Sequence, residues 1–253
     1  DYSCALFDAR GVAVSLGDHM PVHLGAMPMS VEAALDELGR LEPGDVACLN
    51  DPFRGGTHLP DVTLIAPVHA EDALLGHVAS RAHHSDMGGS TPGSMPLARE
   101  IYEEGLRIPP VRLYRRGERN EDLWRTFLAN VRTPGERAGD LDAQLAALNT
   151  GSHRLLEIAE RRGREQTLAA MQALVAYADR LVAAGLERIP DGRYVAEDAL
   201  EDDGFGSGRI PIRVELTVRG PTLRVDFTGS APQVPGGVNA VAAITSSAVR
   251  YVV

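Results

Sequence analysis

The sequence predicts an α+β fold in which antiparallel β-hairpins flank a mostly helical middle segment. Three observations carry this reading. Apolar residues alternate at period two within the first 118 residues, recur at helical spacing from about 120 to 187, and return to period two after Gly192. The expected regions are 1–118, a β-rich part with a Gly/Pro-rich loop; 119–188, helical; and 189–253, antiparallel β and truncated at the C-terminus. A length of 253 residues fits one large or two small domains. The final run Ala248-Val249-Arg250-Tyr251-Val252-Val253 is apolar and lacks a stop signal, so the chain is expected to be a fragment of a longer protein.

Taken in order, residues 1–16 alternate around Asp8-Ala9-Arg10-Gly11 and predict a short hairpin turning at Arg-Gly. Ser30, followed by Val31, Ala34, Leu35 and Leu38, predicts a helix with Ser30 as N-cap, ending at Gly39. Pro43-Gly44 then turns the chain into a strand at 45–49. Apolar runs at 62–68 and 74–82 predict an antiparallel hairpin; a turn centred near Glu71 sets residue 61 opposite 81 and residue 58 opposite 84. The two loops flanking this hairpin must therefore meet. Residues 87–118 are too rich in Gly and Pro for long regular structure, and a connection of this length is more often functional than idle. The helical segment has apolar stripes at Leu123, Trp124 and Phe127, at Leu141, Leu145 and Leu148, at Leu155 and Leu156, and at Leu168, Met171 and Val175. Breaks at Thr133-Pro134-Gly135 and near Gly163 divide it into three or four helices. Ile210, Ile212, Val214, Leu216 and Val218 then alternate with polar residues before Arg219-Gly220-Pro221 turns the chain into Leu223, Val225 and Phe227.

Composition excludes several kinds of partner and chemistry. A net charge of −10 repels a phosphate backbone, which disfavours nucleic acid. All 25 basic residues are Arg, so lysine Schiff-base chemistry and a P-loop lysine are both absent, and ATP bound by this route is excluded. No apolar run approaches the length of a membrane span, and the first residues lack the order of a signal peptide, so a cytoplasmic location is expected. Cys4 and Cys48 are too few for a disulfide framework and are expected as reduced, buried thiols. No G-x-S-x-G occurs to supply a serine nucleophile.

Five metal-capable residues crowd the flanks of the second hairpin: His58 and Asp61 on one side, His83, His84 and Asp86 on the other. Imidazole nitrogen with one or two carboxylates suits a divalent Mn, Fe or Zn ion better than Ca or Cu(I). Adjacent strand residues face opposite ways, so one of His83 and His84 is expected as a ligand and the other as a structural or substrate contact. The loop Asn50-Asp51-Pro52 with Gly55-Gly56 offers backbone to a small ligand, as Gly88, Gly89 and Gly93 do opposite it. Asn50, Asp51, Gly55, Gly56 and Arg81 are the expected substrate-binding set. Glu103 and Glu104 form a carboxylate pair before Gly105, either of which could act as a general base; the expected catalytic set is His83, His84, Asp86 and Glu104. His19, His23, His69, His77 and His153 have no spaced carboxylate partner and are expected at the surface or satisfied in the core.

The run LNDPFRGGTHLPDVTLIAPV, followed by GHVASRAHHSDMGGSTPGSMPLAREIYEEGLRIPPVRL, resembles the hydantoinase B/oxoprolinase family. The likeness continues in DYSCALFDARG, PVHLGAMPMSV and VDFTGSAPQVPGGVNA, and so spans nearly the whole chain. It implies the second component of ATP-dependent hydantoinases and 5-oxoprolinases, a relative of the acetone carboxylase alpha subunit. It implies further that a hydantoinase A-type subunit binds ATP and phosphorylates a cyclic amide, and that this chain completes ring opening in a hetero-oligomer. Metal binding in relatives falls on His58, Asp61 and His83, with Asp1 as a further position. Two other readings are carried forward: a carboxylase subunit of the acetone carboxylase type, and a non-catalytic assembly module with a structural metal.

Overall fold

The computed structural model describes residues 1–17 and 20–253. Its centre is a seven-stranded, wholly antiparallel sheet. The strands are β1 (Tyr2–Asp8), β2 (Ala13–Leu16), β3 (Val46–Leu49), β4 (Asp61–Ala70), β5 (Ala73–His83), β6 (Val111–Arg115) and β7 (Glu118–Arg119), in the spatial order β2-β1-β5-β4-β3-β6-β7. The two predicted hairpins are therefore parts of one sheet, with β4 and β5 at its middle. Both faces of that central pair are covered, which is why its sequence reads as apolar runs with little alternation.

Helix α1 (His23–Leu38) covers one face, packing Met27, Val31 and Ala34 on Phe7, Leu49, Ile65 and Ala79. On the other face α2 (Glu121–Ala129), α3 (Pro134–Arg162) and α4 (Arg164–Leu186) bury Trp124, Phe127, Leu141, Leu148, Leu155 and Met171 with Val62, Leu64 and Val78. Away from the turn, over residues 61–68 of β4 and 76–83 of β5, odd-numbered residues thus face α1 and even-numbered ones face α3; nearer the turn the ladder shifts and Leu75 lies on the α3 side. A second, three-stranded sheet follows, of β8 (Gly192–Leu200), β9 (Ile210–Arg219) and β10 (Thr222–Asp226), and α5 (Ala242–Val252) ends the described chain against α1. No helix among the described residues is long and apolar enough to cross a membrane.

Several expectations are corrected. The hairpin register is displaced by two residues, so that Asp61 lies opposite His83 and Thr63 opposite Arg81: the turn is centred between Glu71 and Asp72, which accounts for one, and the ladder shift at Val68/His69 accounts for the other. A shift of two preserves the faces, so the flanking loops still meet at one end. Ser30 is not an N-cap but lies inside α1, which starts at His23 and runs through Pro28. Pro28 looks like a breaker because it forfeits one helical bond, yet burial of Met27 and Val31 on either side holds the helix together. The stretch 87–118 contains β6, paired with β3, as well as β7. The expected antiparallel β region at 189–253 includes an unforeseen strand, β8, and ends in a helix. Cys48 is buried, which pushes its thiol up to about 12, whereas Cys4 is exposed.

Candidate active site

The site forms at the end of β4 and β5 away from their turn. Asp61 opens β4, His83 closes β5 directly opposite it, and both face α1. His58 sits in the tight turn before β4, where the backbone N–H of Asp61 donates to the His58 carbonyl. This turn carries the His58 ring to within 4.9 Å of the His83 ring, centroid to centroid, and its Nε2 to 3.5 Å from Asp61 Oδ1. Asp1 belongs to the same corner, since its carbonyl accepts from the His83 backbone N–H.

Electrostatics favour an ionised Asp61 beside a neutral His83. Burial opposes ionisation of Asp61, but hydrogen bonds from His23 and His58, with the charges of His58 and Arg81, hold its carboxyl far below the usual carboxylate range. Burial and then the neighbouring His58 push the His83 ring below its ordinary value, against the pull of Asp61, so it is neutral with a nitrogen lone pair available near pH 7. Among the described residues, no group of three or more His, Cys, Asp or Glu side chains stands in the arrangement of a formed metal centre. The chemistry of the donor set nevertheless fits a borderline divalent cation: two imidazoles and one carboxylate meet at one rigid strand end.

His83 and His84 part company as neighbouring strand residues must. His84 turns to the opposite face, where it is fully buried; its Nε2 lies 2.9 Å from Gln144 Oε1 of α3 and its ring meets Phe127 edge-on. The Gln144 amide nitrogen donates to the carbonyls of Val62 and Ser80, so its oxygen is the end that faces His84, and Nε2 carries that ring's hydrogen. Asp86 lies beyond it, accepting from the backbone and guanidinium of Arg132 and from the Gly88 N–H. These bonds outweigh burial and hold its carboxyl below the usual range. His84 and Asp86 are thus bonded into the helical side of the sheet, away from the His58/His83 corner.

The glutamate pair also divides. Glu103 accepts from the backbone N–H groups of Arg99 and Glu100 and closes a capping box on the short 3-10 turn at 101–103. Glu104 is half-buried, and burial raises its pKa against the opposing field of His58. Its backbone is brought in by Gly89, where a Cβ would meet the Glu103 carbonyl at 2.5 Å and φ is +80°. Glu104 is therefore the one of the two free for proton transfer beside His58.

Most of the expected substrate-binding set is committed to internal bonds. Asn50 is fully buried and clamps Leu59, Leu106 and Ile108 through its amide. Gly55 and Gly56 approach protein backbone, a Cβ on Gly55 meeting Met29 at 2.4 Å and one on Gly56 meeting the Asn50 carbonyl at 2.7 Å. Arg81 is fully buried and donates to Thr63 Oγ1 and Ser30 Oγ, with one terminal nitrogen without a partner among the described residues. Asp51 caps the next turn through Phe53 N–H and faces Arg107 at 3.8 Å. Around that pair, exposed Phe53 and Tyr102 flank the Arg107 guanidinium at 6.0 and 5.9 Å.

His23 was not expected here. It is buried, with Nε2 3.3 Å from Asp61 Oδ2 and Nδ1 2.8 Å from Ser3 Oγ. Its partners lie 20 and 38 residues away on other strands, so no local spacing points to it. The one available signal was Pro21, a helix-start residue two places before it. His77 donates from Nδ1 to the Asp8 carbonyl as a satisfied core histidine, and His69 is partly buried with both ring nitrogens unpartnered among the described residues. His19 lies outside the described residues.

The family model described as hydantoinase B/oxoprolinase matches residues 1–253. The chain is 38% identical over 251 residues to caprolactamase subunit beta of Pseudomonas jessenii, covering 98% of this chain and 43% of that protein. It is 37% identical over 271 residues to the 5-oxoprolinase of Saccharomyces cerevisiae, covering 99% of this chain and 20% of that protein. The crystal structure of the ATP-dependent caprolactamase from Pseudomonas jessenii superposes with a TM-score of 0.92 at 37% identity, over 99% of this chain and 43% of that one. A nucleotide-free acetone carboxylase shares the fold at a TM-score of 0.89 and 21% identity, over 98% of this chain and 35% of that one. The chain spans less than half the length of these relatives.

Proposed function

The chain belongs to the hydantoinase B/oxoprolinase family, and from that premise we propose that it carries the ring-opening site of an ATP-dependent cyclic-amide hydrolase. In this reading a hydantoinase A-type partner subunit binds ATP and phosphorylates the ring carbonyl, and the assembly is a hetero-oligomer. The observation that carries the reading is the meeting of His58, Asp61 and His83 at one end of the β4–β5 pair, with half-buried Glu104 alongside. The relatives named for subunits, together with the absence of any lysine to serve a P-loop, support a chain that leaves ATP to its partner.

His58, Asp61 and His83 would hold a divalent Mn, Zn or Fe ion, with Asp1, whose carbonyl accepts from the His83 N–H, as a further candidate ligand. When bound, such an ion supplies Lewis-acid stabilisation of charge on oxygen. Water adds to the activated carbon and loses a proton, the ring C–N bond breaks with nitrogen gaining a proton to leave an acyl phosphate, and a second water hydrolyses that acyl phosphate to the carboxylate and inorganic phosphate. Glu104 suits the proton traffic, because a carboxyl raised by burial exchanges a proton nearer neutrality than an exposed one. Arg107, between Phe53 and Tyr102, offers positive charge to the phosphorylated ring at the mouth.

The test is a turnover assay of the natively assembled protein with hydantoins, 5-oxoproline and simple lactams, following ATP consumption and ring opening together. Bicarbonate-dependent consumption of simple ketones instead would replace this reading with the carboxylase one. Turnover unchanged after substitution of His58 and Glu104 would leave the chain as an assembly module.

A further inference from the structure

His23 has no part in the chemistry described so far. It is 2% exposed and both of its ring nitrogens are engaged, Nδ1 with Ser3 Oγ at 2.8 Å and Nε2 with Asp61 Oδ2 at 3.3 Å. An ionised carboxylate can only accept, so the Nε2 hydrogen faces Asp61 and the Ser3 hydroxyl is free to donate to Nδ1. The same carboxylate oxygen accepts from the Thr57 hydroxyl. Oδ2 therefore takes two donors from the protein, whereas Oδ1 faces His58 Nε2 at 3.5 Å. Two donors on one oxygen fix the plane of a carboxylate and determine which oxygen is presented to the corner where the His58 and His83 rings meet.

We infer that His23 is a positioning residue that, with Ser3 and Thr57, presents Asp61 through Oδ1 to the cation held by His58 and His83. The inference rests on the metal reading above and adds to it the group that orients the carboxylate. Simple packing does not account for the residue. A buried imidazole costs free energy unless both nitrogens are satisfied, and a leucine would fill similar space without that cost. What requires the ring is its two-ended bond, from Ser3 on β1 to Asp61 on β4. Residues that bond to the ligands of a metal typically change its affinity about 10–100-fold when removed.

The experiment compares His23→Leu, His23→Gln and Thr57→Val with wild type in the natively purified protein, stripped with chelator. Mn²⁺ and Zn²⁺ affinities are measured by calorimetry, and folding is checked by circular dichroism. His23→Leu should bind either ion roughly 10–100-fold more weakly. His23→Gln, whose amide nitrogen can reach Asp61, should recover most of that loss, and Thr57→Val should weaken binding by itself. Wild-type affinity in folded His23→Leu, or a glutamine variant no better than the leucine one, overturns the inference. A crystal structure of metal-free His23→Leu separates this from the metal reading. Asp61 rotated from its present orientation supports the positioning role even if wild type takes up no ion, and Asp61 unmoved overturns it.

Discussion

Parity along β4 and β5 decides which side chains of the candidate site can act together. Asp61 and His83 share the α1 face, so His83 joins His58 while His84, one residue on, is delivered to Gln144 on the other side. Sequence reasoning reached the cluster because two His/Asp groups flanked one hairpin, but it could not assign the two histidines without the register. Two predictions belong to this scale. His83→Ala should abolish metal-dependent turnover of the assembled protein, a loss of at least the ~10–100-fold typical of residues that only orient a ligand, with ATP binding by the partner unchanged. Assay over a metal concentration series distinguishes weakened binding from a dead site. Asp86→Asn tests the second acid, which is held below its ordinary value of 3.8 by Arg132 and Gly88 against the effect of burial. A lowered carboxylate contributes stability that is present above its unfolded value and is lost as pH falls through the folded one. The variant should therefore melt below wild type at pH 7, and the difference should close as pH falls below 3.8. A gap in melting temperature that stays constant with pH would show that the carboxylate's charge contributes nothing.

At the scale of elements, the loop between β3 and β4 is held by contacts that look like ligand-binding features in the sequence. Asn50 and Gly55-Gly56 suggest a loop open to a small molecule, yet Asn50 bonds three backbone groups and Gly55 lies on the α1 backbone at Met29. Arg81 completes this arrangement from beneath, donating to Ser30 of α1 and Thr63 of β4. The glycines were legible as positions where backbone comes close; what comes close was not, because α1 lies some twenty residues earlier in the chain. Gly55 has φ +82°, where any side chain is strained, and its Cβ would stand 2.4 Å from Met29. Gly55→Ala should therefore cost about 2 kcal/mol or more from the left-handed conformation and the clash together. That should lower the melting temperature by several degrees and weaken metal binding, since His58 rides on the same loop. A variant as stable as wild type, with unchanged metal affinity, would show that the loop does not need α1 to hold its shape.

Across the whole molecule, the corner containing His23 depends on the far end of the chain. Among the described residues the first turn of α1 has no local side-chain cap; instead Ser247 of α5 accepts from the backbone N–H groups of Gly25 and Ala26 and donates to the Val22 carbonyl. Gly25 permits this contact, since a Cβ there would meet the Ser247 nitrogen at 2.5 Å. This explains why the start of α1 was misplaced at Ser30, the first residue with a conventional capping signal: the true cap lies over two hundred residues away. The last residues of the expected antiparallel β region form α5 instead, which buries Ala243 and Ser247 one helical turn apart. The helical middle is by contrast legible almost to its boundaries, because a 3.6-residue period runs within each helix and Gly and Pro mark the breaks between them. Ser247→Ala removes the cap and should cost about 1 kcal/mol, or a fall of roughly 2–4 °C in melting temperature for a chain of this size. Because His23 is the first residue of the helix so capped, the same substitution should also loosen the bond to Asp61 and weaken divalent-ion binding, although Ser247 touches none of the site residues. Gly25→Ala, which pushes α5 away, should reproduce both effects more strongly. Loss of stability without any change in ion affinity would show that α1 keeps His23 in place unaided, and that the two ends of the chain are coupled through packing alone.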